Sequence, residues 1–305
     1  MPTHIGELSL PRKSPHFLKL RVAIRPFLSA QVAVGLSGGA DSLSLVAAAR
    51  AEGCDVHAIC IDHGLQPGSA EVSASAAETA QSMGCTSEIQ RVKVAQGNLE
   101  AQARRSRYEV FARSPRPVWV AHTMDDQAET YLLGALRGNP AGMLPVTQLG
   151  TTSLVRPLLT VRRADTHGAC AELGLSPWQD PHNQNPAFRR VAVRQHTLPH
   201  LSELIASDAV PAIAQAAERA ALLQDFVRGE SVAMDVAKLR AVHPAVRQAS
   251  IAEFLHREVG QVSWVVVREV ERLVTDWHGQ GPIAVGGHAG VRRNVSRVAG
   301  KLVID

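Results

Sequence analysis

Through the first 140 residues, short apolar runs rich in β-branched side chains alternate with longer Ala-rich stretches. Runs 32–36, 56–61, 89–94 and 118–121 predict strands, and segments 40–51, 69–84, 98–113 and 124–138 carry helical spacing between them. This alternation predicts an α/β fold, a doubly wound parallel sheet of Rossmann-like form covered on both faces. In such sheets ligands bind beyond the carboxyl ends of the strands, so the chemistry is expected there.

From about residue 200 the pattern turns helical, with amphipathic spacing over 212–228 and 245–258. The end, 282–305, is Gly-rich with β-prone pieces at 283–285 and 301–304, which predicts a short β element. Two domains follow, residues 1–200 and a smaller, mainly helical 201–305, as the length of 305 residues also leads one to expect.

Composition narrows the class. Hydrophobic residues are 45% and charged residues 20%, enough to build a core and too apolar for a disordered chain. The densest apolar run, 262–267, is far short of the roughly 18 to 20 residues that span a bilayer, and the first twenty residues hold no signal-peptide core. No membrane association and a cytoplasmic location are therefore expected. Cys54, Cys60, Cys85 and Cys170 form no C-x-x-C pair, so they read as buried reduced thiols. His196 and His200 stand four apart without a third ligand, and no zinc site is read there.

Net charge is only +4, but it is unevenly spread. Residues 1–30 carry five basic and one acidic side chain and 91–120 carry seven and two, whereas 41–90 carry one and seven. The basic segments suit a polyanion such as nucleic acid, although differently solvated faces give the same counts.

The strongest motif is Ser37-Gly38-Gly39-Ala40-Asp41-Ser42, directly between a predicted strand and a predicted helix. Two glycines permit a tight turn with inward-facing N–H groups, the helix start adds positive potential, and the serines add hydroxyls, so the loop can hold a phosphate. It is neither a Walker A loop nor a G-x-G-x-x-G fingerprint. After the fourth strand comes Ala121-His122-Thr123-Met124-Asp125-Asp126-Gln127-Ala128-Glu129-Thr130. Asp125 and Asp126 lie four and three residues before Glu129, so on a helix these carboxylates share one side near its start. They can hold a magnesium ion, an ammonium group or both; a solvated acidic first turn has the same spacing.

The 37–42 string resembles the S-G-G-x-D-S loop of the PP-loop ATP pyrophosphatases, which cleave ATP between its α and β phosphates. Residues 121–130 resemble the A-H-x-x-D-D-x-x-E-T motif of the tRNA(Ile)-lysidine synthase family within that group. Further pieces match in order: Ile61-Asp62-His63-Gly64-Leu65, Glu100 with Ala103-Arg104 and Arg107-Tyr108, Arg137-Gly138, Gly142-Met143, Arg156-Pro157-Leu158-Leu159, and a last segment holding Asp180, Asn183, Arg190 and Arg194. Pro181, His182 and Val191 depart from the family pattern. The resemblance spans about 30–200 and implies a PP-loop ATP-binding catalytic domain at 1–200, in the short form of the family with one helical C-terminal domain.

The family's reaction adenylates the wobble cytidine of an isoleucine tRNA with a CAU anticodon, and the ε-amine of free lysine then displaces AMP to give lysidine. The resemblance implies ATP as co-substrate, bound by Ser37, Gly38, Gly39, Ala40, Asp41 and Ser42, and Mg²⁺ with Asp41 as direct or indirect ligand. It leaves a homodimer open. Asp41, Arg104, His122 and Asp125 are the expected catalytic residues, and Asp126, Glu129, Arg190 and Arg194 the expected substrate-binding ones. His122 is read as a proton-transfer group, a stabiliser of the phosphoryl group or a structural side chain. Arg104 is read as a contact to phosphate of the flipped-out nucleotide or of ATP, and Trp178 as a base-stacking or a core residue. A tRNA thiolase of the same superfamily would need reactive cysteines, and a nucleotide-sensing module would not need the acidic cluster and Arg104 together.

Overall fold

A computed structural model of the chain describes residues 4–64, 68–92, 99–180, 185–260, 262–287 and 293–305, with side chains from 102 onward in the segment that opens at 99. Leu65, Pro181, His182, Asn183, the Glu100 side chain and the end of the expected 89–94 strand lie outside the described residues. The chain divides into two compact units, Met1–Glu218 and Arg219–Asp305.

The first unit opens with a hairpin, β1 (His4–Ile5) and β2 (Leu8–Ser9), and helix α1 (Pro15–Ile24). Its sheet comprises β3 (Gln31–Leu36), β4 (Asp55–Asp62), β5 (Thr86–Arg91), β6 (Val118–Trp119), β7 (Val146–Leu149) and β8 (Thr152–Val155). The order is β5-β4-β3-β6-β8-β7, parallel throughout except that β7 runs antiparallel to β8. Successive residues of β3 show why both faces are covered, since strand side chains alternate. Val32 and Val34 join a core with Phe17 and Leu20 of α1, whereas Ala33 joins Ile59, Phe111, Val118 and Leu154 on the other face.

Helices α2 (Ala40–Ala51), α3 (Ser69–Ser82), α4 (Leu99–Phe111) and α5 (Met124–Ala135) follow β3, β4, β5 and β6, in the positions the periodicity predicts. Beyond them come α6 (Arg163–Glu172), α7 (Arg189–Ala192), which passes through a π turn at Val193–Thr197 into α8 (Leu198–Leu204), and α9 (Ala209–Gly229), within which the two units divide. From β3 the chain winds outward through β4 to β5, then returns to place β6 on the other flank of β3. That reversal opens a crevice at the carboxyl ends of β3 and β6, where the two motif-bearing segments emerge.

The β7–β8 hairpin was not expected, because each strand is only four residues long and β7 lies at the sheet edge with half its side chains exposed. Its antiparallel pairing makes the sheet mixed rather than wholly parallel. Strand β6 is shorter than the expected 118–121, since the chain leaves the ladder at Val120 to enter α5.

The second unit packs α10 (Val236–Ala241), α11 (Pro244–Val259) and α12 (Trp264–Thr275) with an antiparallel sheet of order β11-β10-β9, from β9 (Ile283–Gly286), β10 (Arg293–Val298) and β11 (Lys301–Ile304). Leu239, Ile251, Leu255, Val270 and Leu273 form its core with Val285, Val295 and Leu302. Helix α12 begins inside the apolar run 262–267, which hid its period. From the end of the run onward, Val267, Val270, Leu273 and Val274 are buried at helical spacing, and Ser263 caps the start.

Candidate active site

Between β3 and α2 the chain turns through Gly38 at φ +81° and Gly39 in extended conformation. Ala76 of α3 would lie 3.3 Å from a Cβ at Gly38, so both the backbone angle and the approach of α3 favour glycine. The Ser37 N–H donates to Ser42 Oγ at 3.2 Å, and Ser42 Oγ donates to the Gly39 carbonyl at 3.0 Å. These bonds fix the loop against the first turn of α2, whose leading N–H groups have no partner within the helix. The Trp178 N–H donates to the Gly38 carbonyl at 2.9 Å, placing this tryptophan, 38% exposed, beside the loop.

Asp41 stands in the first turn of α2. Its carboxylate accepts the Thr166 hydroxyl and lies 3.8 Å from Nε of Arg163. Burial pushes its pKa up, and Thr166 and Arg163 offset only part of that. Helix α5 starts at a capping box. Asp126 Oδ2 accepts both the N–H and the hydroxyl of Thr123 at 2.8 Å, and Oδ1 accepts Arg163 Nη2 at 2.7 Å. Burial opposes the charge of Asp126, but Arg163 and the Thr123 donors outweigh it and hold the carboxyl below its ordinary range.

One turn later Glu129 is 0% exposed. Its Oε1 accepts Arg163 Nη1 at 2.9 Å and Arg194 Nε at 2.7 Å, Oε2 accepts Arg194 Nη2 at 3.1 Å, and Arg190 Nε lies 3.8 Å from Oε2. Arg194 and Glu129 thus meet fork to fork, the geometry in which guanidinium and carboxylate bind most strongly.

Asp41, Asp126, Glu129, Arg190 and Arg194 are therefore brought together, and the group that joins them is Arg163, which was not expected. A readable signal existed: Arg162 and Arg163 open α6, although cations are disfavoured at a helix N-terminus, so the pair calls for partners elsewhere in the fold. Asp125 does not join this cluster. Its carboxylate takes Nε and Nη2 of Arg162, both at 3.1 Å, and the Arg163 N–H at 2.7 Å, pinning the start of α6 to α5; Arg162 also pairs with Asp208.

His122 lies between β6 and α5, and its Nδ1 is buried without a hydrogen-bond partner among the described residues. Burial lowers its pKa to about 3; Asp126 opposes this, while Arg156, Arg104 and Arg190 reinforce it. The imidazole is consequently neutral at physiological pH. Arg104 reaches the same neighbourhood from α4, its Nη2 donating to the Tyr108 hydroxyl at 2.9 Å and its guanidinium 4.7 Å from the Tyr108 ring centre. His63, just after β4, has its pKa lowered by burial and by Arg107, and its Nδ1 too is buried without a partner among the described residues.

Among the described residues no three His, Cys, Asp or Glu side chains are grouped to hold a metal ion. Asp41, a single carboxylate 30% exposed beside the loop, fits a magnesium ion that arrives with a triphosphate, because Mg²⁺ takes one or two carboxylates together with substrate phosphates. The four cysteines are unpaired and buried, with the Cys60 thiol pushed up to about 11 and those of Cys85 and Cys170 to about 12 by burial. None is the accessible thiolate that sulfur transfer needs.

Residues 14–201 match the family model described as a PP-loop domain. The chain is 50% identical to a tRNA(Ile)-lysidine synthase of Corynebacterium glutamicum and 55% identical to one of Corynebacterium efficiens, in each case over 100% of this chain and 99% of the relative. A third, from Rhodococcus erythropolis, is 40% identical over 96% of each chain. Among solved structures, a U34-tRNA thiolase from Methanococcus maripaludis carrying an iron–sulfur cluster superposes with a TM-score of 0.54 at 16% identity, over 72% of this chain and 84% of that one, a likeness of fold. The PP-loop match and the full-length identities agree, and the chain belongs to the tRNA(Ile)-lysidine synthase family.

Proposed function

We propose that this chain joins the ε-amine of lysine to carbon 2 of the wobble cytidine of an isoleucine tRNA with a CAU anticodon, converting ATP to AMP and pyrophosphate through an adenylated tRNA. The observation that carries the reading is the meeting, at the switch point of the sheet, of the phosphate loop with the carboxylates of α5, joined through Arg163. One part suits a triphosphate and the other an ammonium group.

In the first half-reaction the cytidine O2 attacks the α phosphorus and pyrophosphate leaves. The N–H groups of the loop and of the α2 start face the charge that grows on the leaving group, and preorganised donors of this kind stabilise it without reorganising. Asp41 would hold the magnesium ion, which supplies Lewis-acid neutralisation of phosphate charge. In the second, the amine attacks carbon 2 and AMP leaves. A hydrated ammonium enters a closed site only where carboxylates replace its water, which Asp126 and Glu129 do in this reading. The amine must then lose a proton. His122, held neutral among arginines, is suited to a hydrogen bond through its unpartnered Nδ1 to the base or the amine rather than to neutralising phosphate as a cation. Arg104 and Arg190, which converge on it, are placed to receive phosphate of the nucleotide.

No helix among the described residues is long and apolar enough to cross a membrane, and a cytoplasmic location accompanies a tRNA substrate. Incubation with the isoleucine tRNA, ATP and lysine followed by nucleoside mass measurement tests the proposal. Conversion of cytidine to lysidine is expected, with pyrophosphate and AMP released one for one. Unmodified cytidine despite ATP turnover removes the lysine assignment.

A further inference from the structure

The carboxylates assigned above to the lysine ammonium already hold a cation. Arg163 offers Nη1 to Glu129 at 2.9 Å and Nη2 to Asp126 at 2.7 Å, while its Nε faces Asp41 at 3.8 Å on the phosphate-loop side. One guanidinium thus spans the groups that serve the two half-reactions. The charge count is equally specific. Asp41, Asp126 and Glu129 supply three negative charges, Arg163, Arg190 and Arg194 three positive ones, so this set of six is balanced as it stands. An ammonium added to it would leave an excess positive charge in a poorly solvated place, which is costly. A bound triphosphate changes the balance by bringing several negative charges to the loop, on the side toward which Arg163 Nε already points.

We propose that Arg163 is a positioning residue that stands in for the lysine ammonium until ATP binds, so that the nucleotide draws its guanidinium toward the phosphates and opens Asp126 and Glu129 to lysine. Lysine binding then follows ATP binding, and the cell's free lysine does not occupy the site of an enzyme that cannot yet activate cytidine. This rests on the assignment of the ammonium to Asp126 and Glu129.

Equilibrium binding of lysine to the full chain with the isoleucine tRNA, with and without α,β-methylene-ATP and Mg²⁺, tests it, because that analogue cannot be cleaved between the α and β phosphates. The analogue is expected to tighten lysine by about tenfold or more, and saturating lysine must tighten the analogue by the same factor. In Arg163→Gln, lysine should bind without nucleotide as well as it binds the wild type with it, a gain that a merely structural role would not produce. Arg163→Lys keeps a cation without the fork and should retain a smaller coupling, which provides a second variant if the glutamine form does not fold.

Equal lysine affinity with and without the analogue in the wild type overturns the proposal. So does absence of lysine binding in every arm, or an Arg163 variant whose coupling matches the wild type. Glu129→Gln in the nucleotide-bound arm separates this from the underlying reading. Unchanged lysine affinity there shows that the ammonium sits elsewhere and removes both. Lost affinity there, with flat coupling in the wild type, leaves the carboxylate assignment standing and removes only the role of Arg163.

Discussion

The phosphate loop and the carboxylate–arginine cluster sit at the same edge of the same sheet, yet they are built in opposite ways. The loop is local: Ser37 and Ser42 bond each other across five residues, and its shape follows from two glycines and the start of α2. The cluster is assembled from afar, with Arg163 lying 34 residues from Glu129 and 37 from Asp126, and Arg194 lying 65 from Glu129. A local device presents its backbone donors mainly through its own turn and the start of α2, with Trp178 and Ala76 as its long-range supports. A distributed one holds its charges only while α2, α5, α6 and the 189–197 segment keep their places, so damage to the first should be chemical and damage to the second chemical and structural together.

The sharpest test of that difference is Asp41→Asn. Asparagine retains a carbonyl for the Thr166 hydroxyl and removes the charge beside the loop, so pyrophosphate release should fall by about 10²- to 10³-fold or more while the unfolding midpoint holds. A stopped pyrophosphate assay beside a thermal melt gives both numbers. Normal turnover would take Asp41 out of the phosphate chemistry, and a large loss of stability would make the loop side as distributed as the cluster.

Next in size is Glu129→Gln, which strips the fully buried carboxylate from Arg163 and Arg194. Breaking a buried ion pair costs about 3–5 kcal/mol, so a lowered melting point is expected here and not for Asp41→Asn. The two half-reactions also separate: adenylated tRNA should still form, while lysine incorporation falls by about 10²-fold or more and the apparent KM for lysine rises. Loss of adenylation with unchanged lysine KM would assign Glu129 to the ATP half.

What could be read in advance follows the same division. Strands β3, β4 and β6 with α2 and α5 were legible because their apolar periods are intact and short-range, as in Val32, Val34 and Leu36, whereas β5, expected over 89–94, runs over Thr86–Arg91 at the sheet edge, where its mostly polar residues give no period to read. The turn at 37–42 and the placement of Asp126 and Glu129 on one side of α5 were legible because they rest on consecutive or helically spaced residues. Arg163 was not, since its partners are set by tertiary packing, and only its unfavourable place at a helix start betrayed it. Asp125 misled for the converse reason. Helical spacing puts it near Glu129, but the capping box turns Asp126 inward and leaves Asp125 to Arg162.

Gly38→Ala probes the local device more gently. A side chain at φ +81° costs about 1–3 kcal/mol, and the added methyl meets Ala76 at 3.3 Å, a neighbour fixed in α3. The KM for ATP should rise by about tenfold with the lysine KM unchanged. An equal rise in both would show that loop and cluster move as one body.

The smallest expected effect concerns His122, which belongs to neither device but feels both. Its folded pKa is lowered from 6.5 to about 3, chiefly by burial. Above pH 6.5 the imidazole is neutral in both folded and unfolded chains and affects stability little through protonation. As pH falls from 6.5 toward 3 the unfolded chain takes up a proton that the folded one refuses, so stability is lost across that window. At pH 5.5 the loss amounts to about 1 kcal/mol. Glutamine at this position does not titrate, and shifted groups away from it, such as Glu52, Asp62 and Asp165, are common to both proteins and cancel in the difference; Asp126, which faces His122, keeps Arg163 and the Thr123 donors in both. Urea unfolding of the wild type and of His122→Gln at pH 7.5 and pH 5.5 should therefore show an acid-induced loss smaller by about 1 kcal/mol in the variant. An identical loss in the two would mean that His122 protonates as readily folded as unfolded, and a charged imidazole beside the phosphates would then replace the neutral hydrogen-bond partner in the second half-reaction.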